Sequence, residues 1–229
     1  MNNVLAINGS PKMAKGRTAM VLTPFLDELE KQGANINLLY ASRLKIKPCN
    51  CGRLYCWNNT PGHCIHKDEM EQVIPLLKQA NILVFATPVY IPLPGEMQMF
   101  INRMTPLLDP QLEFIKGRTR IRFREDVQID NIVLVATGGW WEKGNCDIVT
   151  QIIEHIASIS QIPFGGAIIR PHAYMMKKDE QLTEDGKAVV QSIRKAAHEL
   201  LETGEMTSNI LEQISRPLIS SDSYFNRGN

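Results

Sequence analysis

The sequence lacks any apolar run approaching the roughly 20 residues that cross a bilayer. Its start, Met1-Asn2-Asn3-Val4-Leu5, has neither the basic flank nor the apolar stretch of a secretory leader. Net charge is nearly absent too, at +1, which sets nucleic acid aside as a whole-surface partner. No internal repeat or low-complexity tract interrupts the chain. These absences predict a cytoplasmic protein without a membrane partner, in a compartment where thiols stay reduced.

What is present is a regular alternation of elements. At 229 residues, 44% of them hydrophobic and 21% charged, the chain has the size and composition of one globular domain with insertions. Short apolar runs at 3–7, 35–39, 82–86, 132–136 and 164–169 read as strands. Helical periodicity is found at 18–32, 95–107, 147–160 and 184–202, with a further helix opening at Lys67-Asp68-Glu69-Met70. Pro24, inside the first helix, kinks it or marks its start. Met97, Phe100, Ile101 and Met104 share one face and read as core packing. Strands alternating with helices predict an α/β fold: a doubly wound, five-stranded parallel sheet with helices on both faces, in the flavodoxin-like order. Residues 1–203 form this domain, with a Cys-rich insertion at about 45–66 and a basic, hairpin-like one at about 110–128. The tail, 204–229, has one helical stretch near 210–214.

In such sheets ligands sit beyond the carboxyl ends of the strands, where the winding reverses. Three strand ends carry unusual loops. Asn8-Gly9-Ser10-Pro11-Lys12-Met13-Ala14-Lys15-Gly16-Arg17-Thr18 runs into a helix N-terminus, whose free N–H groups and positive dipole suit a phosphate. It matches neither G-x-G-x-x-G nor G-x-x-x-x-G-K-[ST], which favours a monophosphate held by Ser10, Thr18 and Lys12 or Arg17. A plain turn with a capped helix is the alternative. Thr87-Pro88-Val89-Tyr90-Ile91-Pro92 and Thr137-Gly138-Gly139-Trp140-Trp141-Glu142 could line a planar ring, unless the tryptophans simply cover the sheet's end.

Taken together, Asn8-Gly9-Ser10-Pro11-Lys12 with Gly16 and Thr18, Thr87-Pro88-Val89-Tyr90, Phe100-Ile101-Asn102-Arg103 and the cysteines ahead of Asp68-Glu69-Met70 resemble the NADPH-dependent FMN reductase group, and within it the iron–sulfur flavoproteins. The similarity runs from the first strand to Arg170-Pro171-His172. The resemblance implies non-covalent FMN in a flavodoxin-like fold. Ser10, Lys12, Gly16 and Thr18 would hold its phosphate, with Arg17 at a position where the family often has a small polar residue. Pro88, Val89 and Tyr90 would run beside the isoalloxazine, Thr137, Gly138 and Gly139 would meet its other edge, and Trp140 would lie near the ring.

Four of the five cysteines, Cys49, Cys51, Cys56 and Cys64, fall in one segment. Four thiolates suit a [4Fe–4S] cluster, but iron–sulfur flavoproteins typically carry C-x2-C-x2-C-x4-7-C and this chain reads C-x-C-x4-C-x7-C. Three readings stay open: a cluster with altered loop geometry, a tetrahedral zinc site, or a loop without metal. His63 and His66 flank Cys64 and read as surface residues or added ligands, and Cys146 as a small buried residue or free thiol. The basic run Lys116 to Arg124 reads as a charged, half-exposed edge strand, or as a site for a nicotinamide dinucleotide phosphate or an acidic protein.

The expected activity is FMN-dependent oxidoreduction or electron transfer, from NAD(P)H or a protein donor through flavin N5 to a small-molecule or protein acceptor. No catalytic side chain is assigned, because the flavin carries the chemistry. Alternatives are a cluster-free NAD(P)H:flavin or quinone reductase, a flavodoxin-type carrier, and a metal-stabilised interaction module. The Cys insertion, basic segment and tail suit a subunit interface, so a homodimer or homotetramer is expected.

Overall fold

A computed structural model of the chain describes residues 2–52 and 54–226; Arg53 of the cysteine insertion and residues 227–229 of the tail lie outside the described residues. In chain order the elements are β1 (Asn3–Asn8), α1 (Arg17–Lys31), β2 (Asn35–Tyr40), α2 (Tyr55–Asn58), α3 (Met70–Gln79), β3 (Ile82–Pro88), α4 (Gly95–Asn102), β4 (Glu113–Ile115), β5 (Arg118–Arg120) and β6 (Asn131–Thr137). There follow α5 (Asp147–Ile159), β7 (Phe164–Arg170), β8 (Lys177–Lys178), β9 (Gln181–Leu182), α6 (Glu184–Thr203), α7 (Ser208–Ser215) and α8 (Ser221–Phe225). The main sheet has the order β2-β1-β3-β6-β7 with every pairing parallel, as the alternation predicts.

Successive side chains on a strand face opposite ways, and the core divides accordingly. Leu5, Ile7, Leu83, Phe85, Ile132 and Leu134 pack under α3, α4 and α5 on one face. Val4, Ala6, Val84, Ala86, Val133 and Val135 pack under α1 and α6 on the other. A one-residue slip would exchange the two sets. Each fully buried Leu, Ile or Phe contributes about 1.5–3 kcal/mol, so the register is strongly specified. Central strands buried on both faces therefore appear in the sequence as unbroken apolar runs.

Pro24 lies within α1 rather than at its start. The predicted 95–107 helix ends at Asn102, and a single 3-10 turn covers Thr105–Leu107. The basic segment is a hairpin, β4–β5, separate from the main sheet. Its alternation past Arg120 is not strand beyond one bridge between Leu108 and Phe123: Ile121 is buried and Arg122 pairs with Glu113, so the edge-strand reading is replaced by an antiparallel hairpin. The tail forms α7 and α8 and folds back over β7 and the loop after β6.

Candidate functional site

The winding reverses between β1 and β3, and there the loop after β1 begins. Asn8 is buried and accepts the Ser10 N–H on Oδ1 at 2.9 Å, turning the chain. The Gly9 N–H bonds the Ala86 carbonyl at 2.7 Å, tying this loop to β3. Gly16 stands at the N-cap of α1, and no side chain caps that helix. The N–H groups of Arg17, Thr18 and Ala19 thus lack side-chain acceptors at a positive helix end. A Cβ on Gly16 would come within 2.5 Å of Ser10 Oγ, so glycine leaves the space this cradle needs. Beside it, Asn8 Nδ2 is buried without a partner.

The three strand ends converge. Thr18 and Thr137 share a buried hydroxyl contact of 2.9 Å, and the Val89 N–H bonds the Thr137 carbonyl at 2.9 Å. One open cleft of about 1120 Å³ is lined by Ser10, Lys12, Gly16, Arg17 and Thr18, by Pro88, Val89 and Tyr90, and by Thr137, Gly138 and Gly139. Trp140 is not in its lining; its side chain is 62% exposed and its carbonyl accepts the His172 N–H. The cleft continues past Tyr174, whose ring lies 5.0 Å below the Arg17 guanidinium.

Cys49, Cys51, Cys56 and Cys64 line a second, much smaller hollow with His66, Asn102 and Arg103. Leu54 in the left-handed region and Gly52 at φ +63 reverse the chain ahead of α2, which carries Cys56. None of the five cysteines is in a disulfide. Burial, then the neighbouring Cys51, Cys64 and Cys49, push the Cys56 thiol up to about 11, and burial with Cys51 raises Cys49. Among the described residues no three His, Cys, Asp or Glu converge as ligands for a single metal ion. A cluster spreads its thiolates one to each iron, a wider arrangement than a single ion takes. His63 is exposed, whereas His66 turns a buried, unpartnered Nε2 beside the cysteines. Cys146 is fully buried under Gly138, its thiol pushed up to about 11 by burial.

Residues 2–140 match the NADPH-dependent FMN reductase family model. The chain belongs to the NADPH-dependent FMN reductase family. An iron–sulfur flavoprotein of Methanocaldococcus jannaschii is 30% identical over 166 residues, covering 71% of this chain and 75% of the relative. Another, from Archaeoglobus fulgidus, is 25% identical and covers 91% of this chain and 98% of its own. Among solved structures, the fold is similar to an FMN-dependent NADH-azoreductase of Bacillus anthracis in complex with FMN, at a TM-score of 0.59 and 14% identity over 87% of this chain and 99% of that one. This family member is an FMN-dependent oxidoreductase, with FMN as cofactor and NAD(P)H as co-substrate.

In this FMN reductase the cysteine hollow rests on an ion pair that no spacing pattern reveals. Arg103, 1% exposed at its side chain, grips Asp68, 5% exposed, through two bonds of 2.7 and 3.0 Å. Arg103 also donates to the Lys47 carbonyl, while Asp68 accepts the Lys47 and Met70 N–H groups. The start of the insertion is thereby clamped to α3 and α4, and Arg103 borders Cys64. Arg103 and Asp68 both fall in the resemblance motifs, but only the fold brings them together.

Burial acts to raise Asp68, yet the hydrogen bonds from Arg103, Lys47 and Met70 override it and hold the carboxyl down at about 2. A carboxylate depressed on folding stabilises the fold above its unfolded pKa, and that contribution is lost as pH falls toward the folded one. Acid titration followed by circular dichroism is expected to show stability falling between about pH 4 and about 2, with a smaller fall in Asp68→Asn.

Proposed function

We propose that the cleft holds FMN with its phosphate at the start of α1 and its ring between the loops after β3 and β6. The carrying observation is the convergence of three strand ends on one cleft around an uncapped helix N-terminus. The N–H groups of Arg17, Thr18 and Ala19 and the Ser10 and Thr18 hydroxyls would donate to the phosphate oxygens in the cradle that Gly16 leaves open, and Lys12 and Arg17 supply charge. Pro88, Val89 and Tyr90 flank one side of the ring; Thr137, Gly138 and Gly139 border the other. Bound there, FMN supplies two-electron chemistry at N5, with NAD(P)H as donor. Tyr90, 53% exposed at the mouth of the cleft, shapes access for the nicotinamide and for the acceptor.

The same proposal gives the four cysteines a [4Fe–4S] cluster. Supporting it are the four sulfurs around one hollow, the partnerless His66 Nε2, and the Arg103 cation beside Cys64. Anaerobically purified protein is expected to hold one flavin and about four irons with matching sulfide per chain. In Cys56→Ser the iron is lost and the flavin kept. Flavin without iron and sulfide leaves a cluster-free reductase, and one zinc per chain rejects the cluster.

A further inference from the structure

Four successive carbonyls in the loop after β6 are bonded by residues that follow β7 or lie in the tail. Gly138 O accepts from Ala173 N at 3.4 Å, Gly139 O from the Tyr224 hydroxyl at 2.9 Å, and Trp140 O from His172 N at 3.1 Å. Trp141 O is 3.1 Å from His172 Nδ1. The direction of this last bond follows from the other ring nitrogen. Nε2 receives the Leu218 N–H at 3.1 Å, and an amide can only donate, so Nε2 is bare and the proton sits on Nδ1. Burial and the nearby Arg170 lower the His172 pKa, which keeps the ring in this neutral form.

In a planar trans peptide the N–H of each residue points opposite to the carbonyl before it. The N–H groups of Gly139, Trp140, Trp141 and Glu142 are therefore turned away from His172 and the tail. Among the described residues none of the four has a protein acceptor. Of the four residues, Gly139 at the head of the row lines the cleft, and Trp140, Trp141 and Glu142 lie beyond it. Successive N–H groups on one side of a loop make a concavity for anionic or carbonyl oxygen.

The groups that set this row are themselves fixed. The buried Arg170 donates to the carbonyls of Pro171, Ile214 and Arg216, which seats the end of α7 against β7. The Trp141 indole N–H donates to Ile219 O at 2.9 Å. Tyr224 stands edge-on to His172, with ring centroids 6.3 Å apart. The tail thus reaches the loop after β6 at both Gly139 and Trp141.

We propose that Tyr224 and His172 are positioning residues for the flavin ring: by holding the carbonyls of residues 139–141 they fix the loop after β6, so that the N–H of Gly139, the one residue of the four that lines the cleft, meets the acceptor-rich pyrimidine edge of the isoalloxazine. The inference rests on the FMN reading of the cleft and assigns the C-terminal tail a part in it. Neither residue touches the ring; each acts through the backbone it holds.

The test is titration of flavin-free full-length protein with FMN and, separately, with riboflavin, which has the ring but no phosphate. Tyr224→Phe removes one hydroxyl from a half-buried residue and keeps the ring packing. It is expected to weaken both ligands by the same factor, about fivefold for one hydrogen bond of ordinary net strength, and to shift the visible band of bound flavin. Lys12→Ala, at the phosphate end, weakens FMN and leaves riboflavin unchanged. His172→Gln, which retains a donor toward Trp141 and an acceptor toward Leu218, binds closer to wild type than His172→Leu. Equal affinities and spectra in wild type and Tyr224→Phe overturn the proposal, as does weakening of FMN alone. Wild-type protein that binds neither ligand overturns the FMN reading and this inference with it.

Discussion

Replacing Gly16 by valine is expected to yield a folded chain that purifies without flavin. The φ of −81° and ψ of 159° at Gly16 are open to any residue, so the backbone does not demand glycine. The demand is steric: a Cβ there would lie 2.5 Å from Ser10 Oγ, 3.2 Å from Met13 O and 3.3 Å from Lys12 Cβ. Ser10 is nearly buried and its N–H is already bound to Asn8, so it has little freedom to yield. Overpacking of this kind costs about 1–3 kcal/mol, and a phosphate loses its alignment with the helix end besides, worth up to about 2 kcal/mol. At 1.4 kcal/mol per tenfold, FMN affinity should fall about 100-fold or more. Gly144→Ala is the control, since its Cβ would meet only Asp147 Oδ2 at 3.6 Å. Fluorescence titration with FMN separates the two; wild-type affinity in Gly16→Val would remove the phosphate from this loop.

The second large effect lies under the cysteines. Asp68→Leu leaves the Arg103 guanidinium buried with a carbonyl as its main acceptor, and uncompensated buried charge costs about 3–5 kcal/mol. The double variant Asp68→Leu, Arg103→Met removes the charge on both sides. Apolar replacement of a buried ion pair is often close to neutral, so denaturant unfolding should show the double variant recovering more than half of the loss. On the cluster reading, iron retention should not recover, because Asp68→Leu loses the bond from the Lys47 N–H and the double variant loses the bond to the Lys47 carbonyl as well. If Asp68→Leu matches wild type in stability, the pair does not make the contribution assigned to it.

The parallel sheet was legible because strands covered on both faces must be apolar throughout, and β3 and β6 meet that requirement. The loop from β1 into α1 was legible as a loop opening a helix for a related reason, since its residue types and its place before a helix are local properties. Less legible were the hairpin at 113–120, where alternating Arg120, Arg122 and Arg124 mimic a strand that ends at Arg120, and the end of α4. In both places long-range contacts decide: Ile121 is drawn into the core and bonds Ile159, and Arg103 is pulled to Asp68.

Trp140 and His172 mark the boundary clearly. Two tryptophans beside two glycines at a strand end suggest ring contact, yet Trp140 stands outside the cleft while Trp141 bonds the tail. His172 carries no pattern of its own; its neutral state and its hold on residues 140, 141 and 218 arise only once β7, the loop after β6 and the tail meet. The sequence by itself determined the strand and helix order, the parallel sheet, the family and the cysteine segment, because apolar periodicity and short loop motifs depend on neighbours a few residues away. Only the tertiary structure decided which distant residues support the site. Arg103 with Asp68, and Tyr224 with Gly139, lie 35 and 85 residues apart along the chain, a separation that only the packed fold closes.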